Sequence, residues 1–280
     1  MNIQAENGIA IVIVLYKTSL ELSMTYKTLK LFISNINTNF EIIIYNNSDT
    51  ETISENSNYQ VVTSQKNDKL SGPYNYTLKF AKEHNLKWIL LLDQDTEITK
   101  EYFVKLADFL CMEKDSDLVA VVPFLKENSK VLSPQKINNF GWWQRKIVTP
   151  GYQTGRVTAF NSLSLLDVEF MLSIGGFNIE YPLDMLDHWY YLQIYNQRKK
   201  VYVLDTYIEH QLSLSNYENN VSFERHRSLL KAEKGFTKEL GITHYLSYKI
   251  RLTLRLIRQF IFFKDKRYAL IIFKTLIGKL

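Results

Sequence analysis

Two aspartates separated by one residue, Asp93 and Asp95, follow the apolar run Trp88–Leu92. Side chains two residues apart in extended backbone point to the same side, so both carboxylates can face one cation. Hard cations such as Mg²⁺ and Mn²⁺ take oxygen ligands and commonly bridge a protein carboxylate to a substrate diphosphate. Acidic pairs at strand ends also act as turn formers or helix caps. The pair therefore indicates either a metal site or a capped turn.

A second acidic pair, Asp184 and Asp187, lies directly before His188 and Trp189. Residues three apart share one face of a helix, and one of these carboxylates could act as a general base. The alternative is a solvated acid that complements the dipole of a helix start. His210 stands by itself in the sequence, and a lone histidine is more often hydrogen-bonded than metal-bound.

Small and polar residues also cluster in the segment 67–75, upstream of Asp93. Ser71 could cap a helix, and Gly72 could let the backbone approach a ligand closely. The segment also contains Asn67 and Asn75. An ordinary capped helix start remains the alternative.

Apolar runs of strand length alternate with segments of helical periodicity in the first third of the chain. The predicted strands are 9–16, 41–45, Gln60–Thr63 and Trp88–Leu92, and the predicted helices are 18–36 and 71–84. This order predicts an α/β layer with mainly parallel strands and right-handed crossovers. Ligands gather at the carboxyl ends of such strands, where Tyr16, Asn46 and Asp93 fall.

The later part of the chain has weaker patterns. An irregular region is predicted for 125–157, followed by a strand at 158–165, a helix at 184–198, a strand at 201–204 and a helix at Phe223–Glu239. The lone Cys111 cannot form an internal disulfide, so we expect it to be buried in a protein of a reducing compartment.

The net charge of +5 on the 280 residues is unevenly distributed. Residues 245–280 contain nine Lys and Arg against one Asp, a net charge of +8, which leaves −3 for residues 1–244. We therefore expect a body at 1–244 and a basic, amphipathic helical tail at 245–280. Arg251, Arg255 and Arg258 recur at helical spacing beside a separate apolar stripe of Leu252, Leu256, Phe260 and Phe263.

Three interpretations of the tail are open: a helix lying on an anionic membrane, a helical hairpin packed on its own domain, and a nucleic-acid surface. The heavy apolar content disfavours nucleic acid. No apolar stretch approaches the length of a bilayer span, and the first residues lack the basic start of a signal peptide. The membrane interpretation predicts a cytoplasmic protein held peripherally on the inner face of the plasma membrane.

Taken in order, several segments resemble the family 2 glycosyltransferases of the GT-A fold, and the bacterial rhamnosyltransferase-like branch looks closest. The resemblance covers 9–210 and depends on Tyr16, on Asn46-Asn47-Ser48, on 67–75, on Leu-Leu-Leu-Asp-Gln-Asp at 90–95, on Gly-Gly-Phe at 175–177, on Asp184 with Asp187, and on His210. It implies a Rossmann-like catalytic domain at 1–244 with a C-terminal helical extension.

The resemblance also implies roles for these residues. The nucleotide pocket would be lined by Tyr16, Asn46, Asn67, Ser71, Gly72 and Asn75. Asp93 would contact the nucleotide sugar. Asp95 and His210 would hold Mg²⁺ or Mn²⁺. Asp187 would be the catalytic base, with Asp184, His188 and Trp189 on the acceptor side. The chain departs from the family pattern at Asn46, where the family usually has Asp, and at Lys69, where it often has Gly.

The implied activity is inverting, metal-dependent sugar transfer from a nucleoside-diphosphate sugar, with dTDP-rhamnose or a UDP-sugar as candidate donors. The implied acceptor is a hydroxyl of a growing, lipid-linked cell-surface polysaccharide such as capsule or lipopolysaccharide. Two rivals remain. A nucleotidyltransferase would need a Gly-rich basic loop after the first strand, which residues 15–20 lack. A membrane-associated binding or scaffold protein with a degenerate sugar-nucleotide site is favoured by Asn46 and Lys69.

Overall fold

The computed structural model describes residues 8–48, 53–54, 56–138, 141–210 and 222–279, and at 138 and 141–145 it describes the main chain only. The chain divides into two compact units. The first comprises Met1–Lys136 and Lys146–His210, and the second comprises Ile137–Arg145 and Gln211–Leu280.

Twelve strands are formed by the described residues. They are β1 (Ile9–Leu15), β2 (Phe40–Asn46), β3 (Gln60–Thr63), β4 (Trp88–Leu92), β5 (Leu118–Glu127), β6 (Lys130–Ser133), β7 (Gln135–Asn138), β8 (Gly141–Ile147), β9 (Gly151–Gln153), β10 (Val157–Thr158), β11 (Ser164–Asp167) and β12 (Lys200–Glu209). The main sheet has the order β3-β2-β1-β4-β11-β5-β12-β9, with β6 paired to β5. A smaller sheet has the order β10-β7-β8.

The main sheet is parallel through β3, β2, β1 and β4, and again between β5 and β12. The strand β11 lies antiparallel between β4 and β5 and joins these two parts. All residues of β1 and β4 are buried. Strands buried on both faces need cover on both faces, which explains their continuous apolar composition.

Five helices belong to the same unit: α1 (Met24–Phe32), α2 (Ser71–Glu83), α3 (Lys100–Cys111), α4 (Val168–Ser173) and α5 (Leu186–Asn196). α1 connects β1 to β2, and α2 connects β3 to β4, as in parallel crossover units. The predicted α/β fold, with a mainly parallel central sheet flanked by helices, is confirmed.

The single helix predicted at 18–36 is wrong. A short 3₁₀ turn covers Leu20–Leu22, α1 begins at Met24, and a second 3₁₀ turn covers Ile33–Asn35. The Ser23 hydroxyl accepts a hydrogen bond from the Tyr26 N–H, which starts α1 at this point.

The region 125–157 is not irregular, because the end of β5 and the strands β6 to β9 occupy most of it. The strand predicted at 158–165 is also wrong, since β10 and β11 bracket a turn at 159–163. These strands are short, and short strands leave little periodic signal. Cys111 is exposed at the end of α3, so the prediction that it is buried is wrong as well.

Two boundaries near the predicted site differ from expectation. Met185 has a φ of 69° and precedes the first residue of α5, so Asp184 lies outside the helix and does not share a helical face with Asp187. The strand predicted at 201–204 is longer in the structure, because β12 continues to Glu209, and His210 follows its end directly.

The described helices of the second unit are α6 (Phe223–Glu239), α7 (Ile242–Phe262) and α8 (Arg267–Leu276). They share a small core of Leu230, Tyr248, Leu252, Ile271 and Ile272. The tail predicted at 245–280 is therefore helical and packs with α6. The functional boundary at 244/245 stays a prediction, and the compact units divide at other positions.

Within the part of the chain that the structure describes, no helix is both long and apolar enough to cross a membrane.

Candidate active site

The carboxyl ends of β1, β2 and β4 are tied together by hydrogen bonds. The backbone N–H of Tyr16 donates to the Gln94 side-chain oxygen at 2.8 Å, and the backbone N–H of Lys17 donates to the Ser48 hydroxyl at 3.2 Å. The sheet therefore brings the predicted positions Tyr16, Asn46 and Asp93 to one edge, as the carboxyl-end rule for parallel sheets requires.

The Asn47 side chain holds the loop 67–69 against this edge. It accepts a hydrogen bond from the Asp68 N–H at 2.7 Å and donates one to the Lys69 carbonyl at 2.6 Å. Lys69 has a φ of 60°, in the left-handed region that favours glycine. Lys69 therefore adopts the left-handed backbone conformation that the Gly often found at this position in the family would adopt more readily.

Tyr16 and Asn67 meet at the mouth of this edge. A hydrogen bond from the Asn67 side chain lowers the pKa of the Tyr16 phenol, and the ammonium groups of Lys17 and Lys69 lower it further. Tyr16 is 41% exposed, so its ring is available to a ligand. An exposed aromatic ring beside two cations can stack on a nucleobase near a diphosphate.

The start of α2 is built differently from the prediction. Leu70 is the N-cap and Ser71 is the first helical residue, so Ser71 does not cap the helix. The N–H groups of Leu70 and Ser71 donate to the Pro182 carbonyl at 2.8 and 3.0 Å. A Cβ at Gly72 would lie 2.5 Å from the Asp68 Cβ, so the close approach that glycine permits here is to Asp68.

Asn75 holds the turn at 175–177. Its side-chain amide donates to the Phe177 carbonyl at 2.7 Å and accepts from the Phe177 N–H at 2.8 Å. Gly176 has a φ of 82°, and a Cβ there would lie 2.5 Å from the Asn75 oxygen. In the structure the Asn75 amide therefore positions this turn, and its contact with a nucleotide sugar stays a prediction.

Asp93, Asp95 and His210 lie close enough for their charges to interact. Burial raises the pKa of the Asp93 carboxyl, the His210 imidazole lowers it, the Asp95 charge raises it, and a hydrogen bond with Ser162 lowers it. The Thr96 hydroxyl lies 3.0 Å from the Ser162 hydroxyl and 3.2 Å from His210 Nδ1. The end of β12 thus brings His210 beside the acidic pair at the end of β4.

These side chains have the donor chemistry of a divalent-cation site, although no group of three His, Cys, Asp or Glu among the described residues has the arrangement of a complete metal site. Two carboxylates and an imidazole suit Mg²⁺ or Mn²⁺. Because Thr96 contacts Nδ1 of His210, Nε2 is the nitrogen left to face a cation. A cation would offset the repulsion between Asp93 and Asp95, and substrate oxygens commonly complete such sites.

Asp187 lies in the first turn of α5 and is half-buried. Its carboxylate accepts a hydrogen bond from the His188 N–H at 2.7 Å. Burial raises the pKa of the Tyr74 phenol well above its usual value, and the charges of Asp93 and Asp187 raise it further. Tyr74 on α2 therefore lies within electrostatic reach of both carboxylates, which places the second acidic position near the first.

The acceptor-side residues predicted around Asp187 have separate environments. His188 is buried, and its Nδ1 lies 2.6 Å from the Thr158 hydroxyl on β10. Trp189 is half-buried, and its backbone N–H donates to the Met185 carbonyl at 2.9 Å. Asp184 is half-buried and precedes the helix. Their contact with an acceptor stays a prediction.

Residues 10–167 match the family model described as glycosyl transferase family 2. The chain belongs to this family. The matched segment contains the ends of β1, β2 and β4 with Asp93 and Asp95, and it ends before Asp187 and His210. Membership supports a glycosyltransferase that uses a nucleotide-sugar donor.

The fold of this glycosyltransferase is similar to that of the mannosyltransferase PcManGT from Pyrobaculum calidifontis, whose structure was solved in complex with GDP-Man and Mn²⁺. The TM-score is 0.55 at 11% sequence identity, and the match covers 97% of this chain and 80% of that chain. At this identity the likeness shows the fold, and the predicted GT-A architecture is confirmed. No curated protein has a sequence that matches this chain.

Three further residues of this glycosyltransferase lie beside the acidic positions but have no recognisable signal in the sequence: Tyr74, Ser162 and Thr96. Tyr74 lies within the segment 67–75, but a tyrosine on a helix is usually a core residue and gives no functional signal. Ser162 follows no recognisable motif, and it reaches Asp93 because β11 lies beside β4. A strand inserted antiparallel beside β4 could not be located from its four residues.

We expect Tyr74→Phe to raise the free energy of unfolding by about 1 kcal/mol, because the Tyr74 hydroxyl is buried without a hydrogen-bond partner. Tyr102→Phe is the matched control. Tyr102 is equally buried, but its hydroxyl donates to the Leu163 carbonyl at 3.3 Å, so this variant should lose about 1 kcal/mol. Thermal and denaturant unfolding of both variants measure the difference. Equal losses in the two variants would contradict the assignment of Tyr74 as unsatisfied.

Proposed function

We propose that this protein is a metal-dependent, inverting glycosyltransferase related to the rhamnosyltransferase-like branch of its family. It transfers a hexosyl or rhamnosyl group from a nucleoside-diphosphate sugar to a hydroxyl of a growing, lipid-linked polysaccharide. The observation that carries the proposal is the placement of Asp93 and Asp95 at the end of β4 beside His210 at the end of β12.

The nucleotide would bind across the ends of β1 and β2. Tyr16 would stack on the base, and Asn67 would orient the Tyr16 phenol. Asn46 is fully buried, and its side-chain oxygen accepts hydrogen bonds from the Ser48 N–H and hydroxyl at 3.3 and 3.2 Å. Asn46 would therefore shape the nucleotide pocket indirectly, by holding the turn that contains Ser48. In this role its amide would take the place of the carboxylate that the family usually has at this position.

Asp95 and His210 would hold Mg²⁺ or Mn²⁺, and Asp93 would contact the nucleotide sugar. The bound cation would supply Lewis-acid stabilisation of the charge that develops on the departing nucleoside diphosphate. The presence of Mn²⁺ in the complex of the mannosyltransferase PcManGT supports a divalent cation in this chain too. The same complex contains GDP-Man, which makes GDP-mannose a donor to test beside dTDP-rhamnose and UDP-sugars.

Asp187 would act as the general base. It would remove the proton from the acceptor hydroxyl while that oxygen attacks the anomeric carbon. The bond from the anomeric carbon to the diphosphate oxygen would break, and its electron pair would leave with the diphosphate. One such in-line displacement inverts the configuration at the anomeric carbon. Tyr74, near both Asp93 and Asp187, indicates that the base and the donor site share one region.

The acceptor would be a lipid-linked glycan of a capsule or lipopolysaccharide pathway at the cytoplasmic face of the plasma membrane. The net charge of +8 in 245–280 supports this location, because anionic lipids attract basic segments. The protein would associate peripherally with that membrane. No nucleic-acid partner is proposed.

We expect one nucleotide sugar to raise the melting temperature in a thermal-shift screen that includes Mn²⁺, because a ligand that binds only the folded state stabilises it. The panel comprises dTDP-rhamnose, UDP-sugars and GDP-mannose, with the free nucleotides for comparison. Tyr16→Ala should weaken the shift, and the matched variant Tyr76→Ala, which removes another partly exposed tyrosine, should retain it. The absence of a shift with every member of the panel would contradict the proposed donor class.

The second candidate function is binding without transfer, as in a scaffold protein that retains a nucleotide-sugar pocket. The engagement of Asn46 with Ser48 and the presence of Lys69 favour it. Calorimetry that detects donor binding, together with no transfer across a panel of acceptors, would support this function over the transferase.

A further inference from the structure

The helix α7 exposes a stripe of aliphatic side chains along its length. The stripe consists of Ile242, Leu246, Ile250, Leu254, Ile257 and Ile261, which are between 51% and 69% exposed. At 3.6 residues per turn these positions fall within roughly 120° of the helix circumference. Contiguous apolar surface of this kind marks an interaction site more often than isolated exposed residues do.

Two of the three arginines of the same helix, Arg251 and Arg255, lie on the other side. The Arg255 guanidinium donates to both carboxylate oxygens of Glu233 on α6, at 3.0 and 3.1 Å. Burial lowers the pKa of Arg251, and the nearby Glu233 carboxylate partly offsets this effect. Arg251 and Arg255 therefore belong to the face that packs on α6, and they do not form the solvent-exposed basic face that their spacing predicted.

This packing explains why the aliphatic stripe faces outward. The buried positions of α7 include Tyr248 and Leu252, which contact Leu230 of α6 in the shared core. The core contacts of α7 are made on this packed side, so an opposite side that is aliphatic and exposed needs a second apolar environment. The exposed stripe is therefore an interaction surface of the second unit.

The net charge of the second unit indicates which kind of partner binds this surface. Residues 222–279 contain fourteen Lys and Arg against four Asp and Glu, a net charge of +10. Arg258, Lys264, Lys266 and Lys274 are exposed on α7, on α8 and between them. A second copy of the chain would bring another strongly cationic unit to the surface, whereas an anionic lipid surface would neutralise these charges.

We propose that the aliphatic stripe of α7 is a docking surface for an anionic membrane, on which α7 lies parallel to the bilayer plane. The aliphatic side chains enter the boundary between headgroups and acyl chains, and the exposed lysines and Arg258 contact anionic headgroups. This inference refines the membrane association in the proposed function, because it assigns the contact to one helix face and excludes Arg251 and Arg255 from it.

The test compares two variants of the full-length chain in vesicle sedimentation. The double variant Ile250→Asp with Leu254→Asp places charges at the centre of the stripe. The control is Ile179→Asp, which makes the same chemical change at a residue that is 73% exposed in the first unit. Circular dichroism and thermal unfolding check that both variants fold, as expected for substitutions at exposed positions.

We expect wild type to sediment with vesicles of phosphatidylcholine and phosphatidylglycerol, and to bind vesicles of phosphatidylcholine alone much more weakly. The double variant should lose at least about tenfold in partition coefficient, and Ile179→Asp should bind like wild type. Unchanged binding by the double variant, or no binding by wild type, would overturn the proposal. Loss of a wild-type dimer in the double variant, seen by analytical ultracentrifugation, would instead identify a second copy as the occupant.

Vesicle binding is measured without donor or acceptor, so its result is separate from the test of sugar transfer. An inactive wild-type protein that binds vesicles would contradict the transferase and leave the docking surface in place. Deletion of 245–280 is a weaker test, because it removes α8 and all but the first three residues of α7 from the core that they share with α6.

Discussion

Asp187→Asn is expected to lower the rate of sugar transfer by about 10²- to 10⁴-fold, the contribution of a positioned general base. The amide is nearly isosteric with the carboxylate, but it cannot accept the proton of the acceptor hydroxyl. The oxygen of the substituted amide can still accept the hydrogen bond that the His188 N–H donates at 2.7 Å, so the first turn of α5 should keep its structure. Nucleotide-sugar binding should therefore be largely unchanged.

The measurement pairs steady-state transfer rates with calorimetric donor affinity. Asp205→Asn is the matched control, because Asp205 is an exposed carboxylate on β12 to which no role in the site is assigned. It should retain the activity of wild type. Undiminished turnover in Asp187→Asn would exclude Asp187 as the base, and a parallel loss of donor affinity would indicate that Asp187 binds the donor.

Chelation with EDTA is expected to suppress transfer by roughly a thousandfold, and Mg²⁺ or Mn²⁺ should restore it. The expectation depends on the acidic pair, since burial and the charge of Asp95 raise the pKa of Asp93 and a cation would favour the ionised form. Asp95→Asn and His210→Ala should each raise the Mn²⁺ concentration needed for half-maximal activity.

Mn²⁺ binding by calorimetry, in the presence of the nucleoside diphosphate, provides a readout that is independent of turnover. Glu97→Gln is the control, because it removes another exposed carboxylate two residues beyond Asp95 to which no ligand role is assigned. It should leave the metal requirement unchanged. Full activity in EDTA, or wild-type metal dependence in both ligand variants, would contradict the roles of Asp95 and His210.

The central strands could be predicted from the sequence because their burial is a local property. Every residue of β1 and β4 is apolar and buried, so the composition of each run predicts a strand that is buried on both faces of the sheet. The polar residues that end these runs then fall at one sheet edge, since parallel strands have their carboxyl ends on the same side. The position of Asp93 near Tyr16 and Asn46 follows from this rule alone.

The short elements after β5 could not be predicted in the same way. Strands such as β9 and β10 contain three and two residues, which is too few for alternation to be recognised. The helix α5 begins later than the sequence predicts, because the left-handed conformation of Met185 has no signature in its residue type. This one backbone angle separates Asp184 from the helix that contains Asp187.

For the basic tail, the helical periodicity of the sequence correctly predicts a helix, but it does not predict which side of that helix faces solvent. The sequence predicts an arginine stripe beside an apolar stripe of Leu252, Leu256, Phe260 and Phe263. In the structure Leu252 is buried in the core with Leu256 packed against it, and the exposed aliphatic stripe of α7 is a different set of residues. Packing against α6 decides which side of α7 faces solvent. Two hydrogen bonds to Glu233 on α6 hold the Arg255 guanidinium on the packed side. A contact between residues 22 positions apart cannot be inferred from the helical period of either segment.

The sequence by itself determined the α/β class, the parallel strands that end at Tyr16, Asn46 and Asp93, and the unequal charge of the two parts of the chain. Hydrophobic runs and charge counts are local properties of the sequence, so they can be recognised without knowledge of tertiary contacts. The resemblance predicted that His210 shares a metal site with Asp95. Only the tertiary structure decided that Thr96 and Ser162 lie between His210 and Asp93, that Tyr74 lies within electrostatic reach of Asp93 and Asp187, and that α7 turns its aliphatic side outward. These outcomes depend on strand order and on ion pairs between distant residues, which packing selects after the local elements have formed.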